Sequence, residues 1–243
     1  MTALFVTGIG TDIGKTFCIE HLLKFDLTSQ IQQFCAIKPL ITGWTGELKD
    51  VSTSDTGKIL LAQGKSVTPE NIQSVSPWRY RAALAPDLAQ QRENCYFKFN
   101  DLIQVCEHAK LMAKEKQKIL LIEGVGGVMS PISEQYTVVD WIKALSIPVL
   151  VVSGTYLGSI THLLTALNAL MHFNIQVPFI ILNESKNSNV TLEETKRSIQ
   201  KHTKIPLITI SRHDHIEKNE RDYAIATDFC LLHRKLITAF SSQ

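Results

Sequence analysis

A chain of 243 residues, 44% hydrophobic and 20% charged, has the make-up of a globular protein with one sizeable core, not of a disordered or fibrous chain. A formal net charge of +2, with no dense Lys/Arg stripe and no interleaving of basic and aromatic residues, points away from a nucleic-acid partner. No segment approaches the apolar length of a bilayer span, no basic-then-apolar opening marks a signal peptide, and the scattered cysteines (Cys18, Cys35, Cys95, Cys106, Cys230) form no C-x-x-C pair. The expectation is a cytoplasmic protein with no membrane partner, whose cysteines are buried free thiols.

A strand over 3–7 opens the predicted order of elements. It runs into the glycine-rich turn of LFVTGIGTDIGKT at 4–16, and a helical pattern over 15–25 (Phe17, Ile19, Leu22, Leu23) follows. That arrangement suits a phosphate-binding loop, in which backbone N–H groups and a helix N-terminus meet the phosphates, Lys15 reaches the terminal ones and the Thr16 hydroxyl takes Mg²⁺. The usual spacing, G-x-x-x-x-G-K-[ST], would put a glycine at position 9, which is Ile9; here Gly8 stands one residue further from Gly14-Lys15-Thr16.

A second strand over 35–40 carries Lys38-Pro39. Proline removes a ladder donor and stops the strand, leaving Lys38 at the sheet edge either as a second ammonium for dense negative charge or as a solvated lysine. The polar loop Ser52-Thr53-Ser54-Asp55 opens a helix over 55–63, stopped at Gln63-Gly64; Asp55 suits a metal ligand or a helix cap. Segment 74–92, with Trp78, Arg79 and Tyr80, reads as a cover over the site whose aromatic residues pack. A helix over 100–114 leads to a strand over 119–123, in KILLIEGVGG, where Glu123 precedes Gly124, Gly126 and Gly127 and is either a metal ligand or an acid facing water. A strand over 148–153, a helix over 159–173, a strand over 178–182, a polar loop at 184–189, a helix over 191–202, a strand over 206–210 and a helix over 226–240 complete the order. His213-Asp214-His215 sits on a polar loop and reads as solvated rather than metal-binding.

Nearly continuous apolar strands (ILLIE, PVLVVS, PFIIL) alternating with helical patterns predict one α/β domain over 1–243, with a doubly wound, mostly parallel sheet and helices on both faces. Ligands of such sheets lie beyond the C-terminal strand ends, which gathers Thr16, Lys38, Asp55 and Glu123. One hydroxyl and two carboxylates suit Mg²⁺, a cation that demands oxygen ligands and keeps waters and substrate phosphates.

The ordered set GIGTDIGKT, AIKPLITG, STSDTGK, LAPDLAQQ, LLIEGVGGVMSPI and VVSGTYLGSITH resembles the dethiobiotin synthetase family, ATP-dependent ring-closing enzymes of biotin biosynthesis. The resemblance covers roughly residues 3–183 and includes the long phosphate-loop spacing. It implies that 7,8-diaminononanoate takes up CO₂ as a carbamate, that the carbamate attacks ATP, and that the second amine closes the ureido ring with release of ADP and phosphate. It further implies Lys15 and Lys38 as catalytic charges, Thr16, Asp55 and Glu123 around Mg²⁺, and Asp12, Ile13, Gly14, Lys15, Thr16 and Phe17 around the phosphates. Gly124 and Gly126 would allow close backbone approach to the ligand, and Asn183 and Ser211 would meet the base. Thr11, Lys38, Thr42 and the loop at Gly154, Leu157 and Gly158 would hold the diamine substrate near the interface of a homodimer.

The sequence departs from the family pattern at Gly10, where an acidic side chain is usual, and at Ser211-Arg212-His213, where a proline is usual. A nucleotide-dependent switch ATPase of the partitioning or septum-positioning kind is the alternative. Such proteins carry an extra lysine early in the phosphate loop, which positions 8–13 lack, and have no need of Lys38-Pro39-x-x-Thr42-Gly43.

Overall fold

The computed structural model describes residues 3–46, 48–186, 188–213 and 218–241. In chain order the elements are β1 (Ala3–Gly8), α1 (Lys15–Thr28), β2 (Phe34–Ile37), β3 (Leu40–Thr42), α2 (Leu48–Val51), α3 (Asp55–Ala62), α4 (Pro69–Val75), β4 (Trp78–Tyr80), α5 (Pro86–Glu93), α6 (Phe99–Glu115), β5 (Ile119–Glu123), α7 (Val138–Leu145), β6 (Val149–Ser153), α8 (Ser159–His172), β7 (Phe179–Asn183), α9 (Leu192–Gln200), β8 (Leu207–Ile210) and α10 (Lys218–Ser241). Six strands form a parallel sheet in the order β2-β5-β1-β6-β7-β8, and β3 and β4 pair in parallel as a separate two-stranded sheet. No helix among the described residues is long and apolar enough to cross a membrane.

The strands are apolar on both sides because helices cover both faces of the sheet. Ala3 and Phe5 of β1 point into one layer, with Leu102, Trp141 and Leu163 of α6, α7 and α8. Leu4 and Val6 point into the other, with Leu22, Ile59 and Phe229 of α1, α3 and α10. Strand alternation then decides where the chemistry goes: Glu123 shares the face of Leu121, the side of α1 and α3.

Strand β2 lies at the sheet edge, and several of its outward polar groups are taken up by side chains and, just past its end, by a backbone carbonyl. The Asp26 carboxylate accepts from the N–H of Gln33 at 3.0 Å and of Phe34 at 2.8 Å. The Gln63 amide accepts from Ala36 N–H and donates to Ala36 C=O, both at 3.2 Å. Lys38 N–H donates to the Val75 carbonyl at 3.0 Å. Asp26 is buried and also accepts from His233 Nε2 at 2.9 Å, so one carboxylate joins α1, β2 and α10.

The predicted strand over 35–40 is broken in two. Pro39 has no N–H for the ladder, Lys38 turns its own to Val75, and Leu40 begins β3 against Trp78. Helices α2, α4, α5 and α7, of 4, 7, 8 and 8 residues, are absent from the sequence reading. The cysteines also differ from expectation. Cys18 and Cys106 are buried, with thiols pushed up to about 12 chiefly by burial, whereas Cys95 is exposed and Cys35 and Cys230 are half-buried.

Removing the Asp26 carboxylate leaves the buried Phe34 N–H and the His233 ring without their acceptor, at about 1–3 kcal/mol for each unsatisfied group, while an exposed ion pair is worth less than about 1. Asp26→Ala is therefore expected to lower the unfolding free energy several-fold more than Lys196→Ala, which breaks the exposed Glu193 pair at 3.2 Å. Urea unfolding followed by circular dichroism measures both; equal losses would refute the role of Asp26.

Candidate active site

The turn between β1 and α1 is built for backbone exposure. Asp12 and Gly14 adopt left-handed φ values of 56° and 94°, and α1 starts directly behind with no acidic residue in its first turn. Its N-terminal N–H groups and the positive end of its dipole therefore face the loop. A Cβ on Gly14 would come within 2.2 Å of Asn183 Nδ2, and that amide donates to Ile13 C=O at 3.0 Å. The end of β7 thus braces the turn. Ile13 is buried in the layer beneath α1, while Thr11 and Asp12 are exposed.

Lys15 is buried and donates to Gly10 C=O at 2.6 Å. Burial lowers its pKa to about 8; nearby Lys38 adds to the shift, and Glu123 opposes it. A side chain at position 10 has open space around its Cβ, so the glycine there is not forced by packing.

Thr16, Lys38, Asp55 and Glu123 come together at the strand ends. Thr16 Oγ1 donates to Glu123 Oε1 at 2.6 Å, and Lys38 Nζ donates to the same oxygen at 2.7 Å and to Asp55 Oδ2. Lys38 Nζ also lies 3.4 Å from Thr16 Oγ1. Burial pulls the Lys38 pKa down, but the Glu123 and Asp55 carboxylates outweigh it and hold the ammonium above its usual range. Burial likewise pushes the Asp55 carboxyl up, and the Lys38 ammonium outweighs it and holds the group below its usual range. Glu123 is 0% exposed, so it is not the water-facing acid that a strand end also permits.

One atom of this cluster is incomplete. Glu123 Oε2 is buried with no hydrogen-bond partner. An orphaned carboxylate oxygen beside a hydroxyl and a second carboxylate is an all-oxygen donor set, which fits a hard cation such as Mg²⁺. Among the described residues no three His, Cys, Asp or Glu side chains cluster as a metal cage, so waters and substrate phosphates would complete the coordination.

The structure distributes the other sequence-predicted residues unevenly. Thr42 ends β3, half-buried, and Phe17 sits 4.1 Å ring-to-ring from His21. Gly124 has a packing reason to lack a side chain, since a Cβ would meet the Phe5 ring at 2.6 Å. At Gly126, φ is 63° and a Cβ would meet Ser130 Oγ at 2.1 Å. Gly154 is buried, Leu157 is 91% exposed, and Gly158 caps α8 with a φ of 96°. The Ser211 N–H donates to Asp228 Oδ2 at 2.9 Å. His213 is not simply solvated but lies 3.5 Å from Asp228; Asp214 and His215 lie outside the described residues.

Two polar ties escape the sequence reading. Thr155 and Ser185 exchange backbone-to-hydroxyl bonds at 2.9 and 3.0 Å, lashing the loops after β6 and β7 together. Thr56 and Ser76 share a buried hydrogen bond of 2.7 Å, fixing the start of α3 beside Asp55. Both join segments at least 20 residues apart, where no local pattern marks them.

A family model described as an AAA domain matches residues 2–216. The ATP-dependent dethiobiotin synthetase BioD of Methylobacterium nodulans is 39% identical over 87% of this chain and 94% of its own length. The BioD of Caulobacter sp. (strain K31) is 38% identical over 82% and 83%, and that of Legionella pneumophila (strain Corby) 31% over 86% and 92%. Among solved structures, the MinC:MinD cell division protein complex of Aquifex aeolicus aligns with a TM-score of 0.55 at 12% identity, covering 96% of each chain. The MinD cell division protein of that organism aligns with a TM-score of 0.52 at 12% identity, over 96% and 97% of the two chains. At such identity the likeness shows the fold alone.

With a pKa of about 8, Lys15 carries its charge below that pH and loses it as pH rises through it. ATP affinity of the nucleotide-free protein, measured by calorimetry between pH 6.5 and 9.5, is expected to fall above about pH 8. A flat profile to pH 9.5 would detach the phosphates from Lys15.

Proposed function

The chain belongs to the dethiobiotin synthetase family of ATP-dependent ligases in biotin biosynthesis, and from that premise we propose that it closes the ureido ring of dethiobiotin on 7,8-diaminononanoate, consuming CO₂ and ATP. The observation that carries this reading is the convergence of two buried lysines, Lys15 and Lys38, with Thr16, Asp55 and Glu123 at the strand ends. Positioning and charge stabilisation are what such a reaction asks of a protein.

In the proposed sequence one amine of the diamine adds to CO₂, loses a proton and becomes a carbamate. A carbamate oxygen attacks the γ-phosphorus of ATP and ADP leaves. The neighbouring amine then attacks the carbonyl carbon of the mixed anhydride, phosphate departs and the five-membered ring closes. Lys15, released from the Gly10 carbonyl, would bind the β- and γ-phosphates, while the N–H groups of residues 12–17 hold the phosphate chain. Lys38 would offer its ammonium to the carbamate and to the transferring phosphoryl group, and its raised pKa keeps it charged throughout the neutral range. Thr16, Asp55 and Glu123 would hold Mg²⁺, which supplies charge neutralisation at the phosphates. Thr11, Thr42, Gly154, Leu157 and Gly158 would position the diamine, and Asn183 and Ser211 the base. We read the exposed Leu157 and Met171 as covered by a second copy in a homodimer.

The switch-ATPase reading has the fold and the phosphate loop in its favour, but not the rest of the site. Its extra early lysine is missing, and Lys38 is tied into the cluster through Asp55 and Glu123 instead.

ADP release with ATP, Mg²⁺ and bicarbonate is expected to depend on the diamine, with dethiobiotin identified by mass; turnover indifferent to the diamine would sink the proposal. Lys15→Ala is expected to abolish turnover. Lys38→Ala is expected to cost about 10²–10³ in kcat while leaving ATP affinity within a few-fold. A variant that loses ATP affinity and keeps kcat would show Lys38 misplaced.

A further inference from the structure

A cavity of about 670 Å³ runs along the edge strand β2, between α1, the ends of α3 and α4, and α6. That volume lies in the range, about 300–1,000 Å³, in which proteins hold small molecules. Its walls include Leu23, Leu27, Phe34, Val105, Ala109 and Met112. It does not belong to the ligand edge of the sheet. Phe34 and Cys35, in its wall, pair with Ile119 and Leu120 at the opposite end of β5 from Glu123.

At that opposite end three lysines converge. Lys65, Lys116 and Lys118 all line the cavity, and the fields of all three reach the half-buried Cys35 thiol. Burial lowers the Lys65 pKa, and Lys116 and Lys118 lower it further, as expected of ammoniums crowded at one mouth. None of the three is in an ion pair with a carboxylate of the described residues. Of the acids in the wall, Asp26 has both oxygens committed to Gln33, Phe34 and His233, which leaves Asp101.

The groove also shows what it does not suit. An added peptide strand needs open N–H and C=O groups on β2, and Asp26, Gln63 and Val75 already take up the N–H groups of Phe34, Ala36 and Lys38 and the C=O of Ala36. What remains is an apolar trough with a positive end.

We propose that this cavity is a second binding site, distinct from the site at the strand ends, for a single-chain anionic amphiphile: an apolar chain of about six to ten carbons lying along β2, with its carboxylate among Lys65, Lys116 and Lys118. The site is independent of the ligase reading, because none of its lysines belongs to the strand-end cluster.

The test uses the full chain and the probes hexanoate, octanoate, decanoate and octylamine, with affinity from calorimetry and peptide-resolved alkylation of Cys35 as a second readout. Affinity is expected to rise roughly fourfold per added methylene. Octylamine is expected not to bind, and octanoate to slow Cys35 alkylation. Lys65→Glu combined with Lys118→Glu is expected to weaken octanoate at least tenfold at unchanged fold by circular dichroism. Lys116→Glu, at an exposed position, gives the same direction without touching packing. No binding by the wild-type chain, equal binding by the charge-reversed variants, or binding lost on Lys38→Ala alone would each overturn the proposal. The last outcome would place the anion at the strand ends.

Discussion

Everything at the ligand edge depends on one buried carboxylate. Glu123 is fully enclosed, and an unpaired ionised acid in such surroundings carries a desolvation penalty of several kcal/mol. It is tolerated because Lys38 and Thr16 reach the same oxygen, from the end of β2 and the first turn of α1. The ammonium in turn needs Asp55 at the start of α3. A charge that must be matched therefore forces three separate segments into register around it. Its second oxygen is left without a partner, so matching by the protein stops one ligand short.

The packing around this cluster is correspondingly unforgiving. Asp55 is held by the helix it opens, and Ser54 caps that helix by accepting from Gly57 N–H at 3.1 Å. Gly57 itself sits against backbone: a Cβ there would be 1.9 Å from the Val51 carbonyl oxygen, a clash no side-chain rotation relieves. The bond between Thr56 and Ser76 pins the same turn from behind. Lys38 is fixed through its own N–H to Val75, one residue before Ser76. The segment Val75–Ser76 thus steadies both members of the Lys38–Asp55 pair, although neither residue touches the charges.

Legibility in the sequence follows the range of the interaction responsible. The strands ending in Gly8, Glu123 and Ser153 could be read because a two-faced parallel strand leaves an uninterrupted apolar run. The phosphate loop could be read because it is a local motif, and one of its glycines, Gly14, answers a left-handed φ. Lys38-Pro39 announced a strand end, but not that the chain would start a new small sheet with Trp78 two residues later, since the partner is distant in sequence. Helix α7 was missed although Thr137 and Asp140 form a capping box and Val138, Trp141, Ile142 and Leu145 make a buried face; length is not the reason, since α3 has the same 8 residues and was read. The role of Gly124 was read as ligand approach, and the Phe5 ring now supplies a packing reason for it. Glycine in a sequence says that space is needed, and only the fold says what fills it.

Fold and chemistry separate here along a visible line. The overall fold is similar to that of the Aquifex aeolicus MinD cell division protein at 12% identity, and a fold by itself carries no site chemistry. What is particular to this chain lies in side chains a scaffold does not require. Without Lys38 a neutral residue at position 123 would satisfy the same strand end at less cost, because apolar replacement of a buried ion pair is often neutral or stabilising. A buried acid kept in place by a buried ammonium, with one oxygen to spare, is a stability cost that the packing of the fold does not explain. Charge handling at that point does explain it.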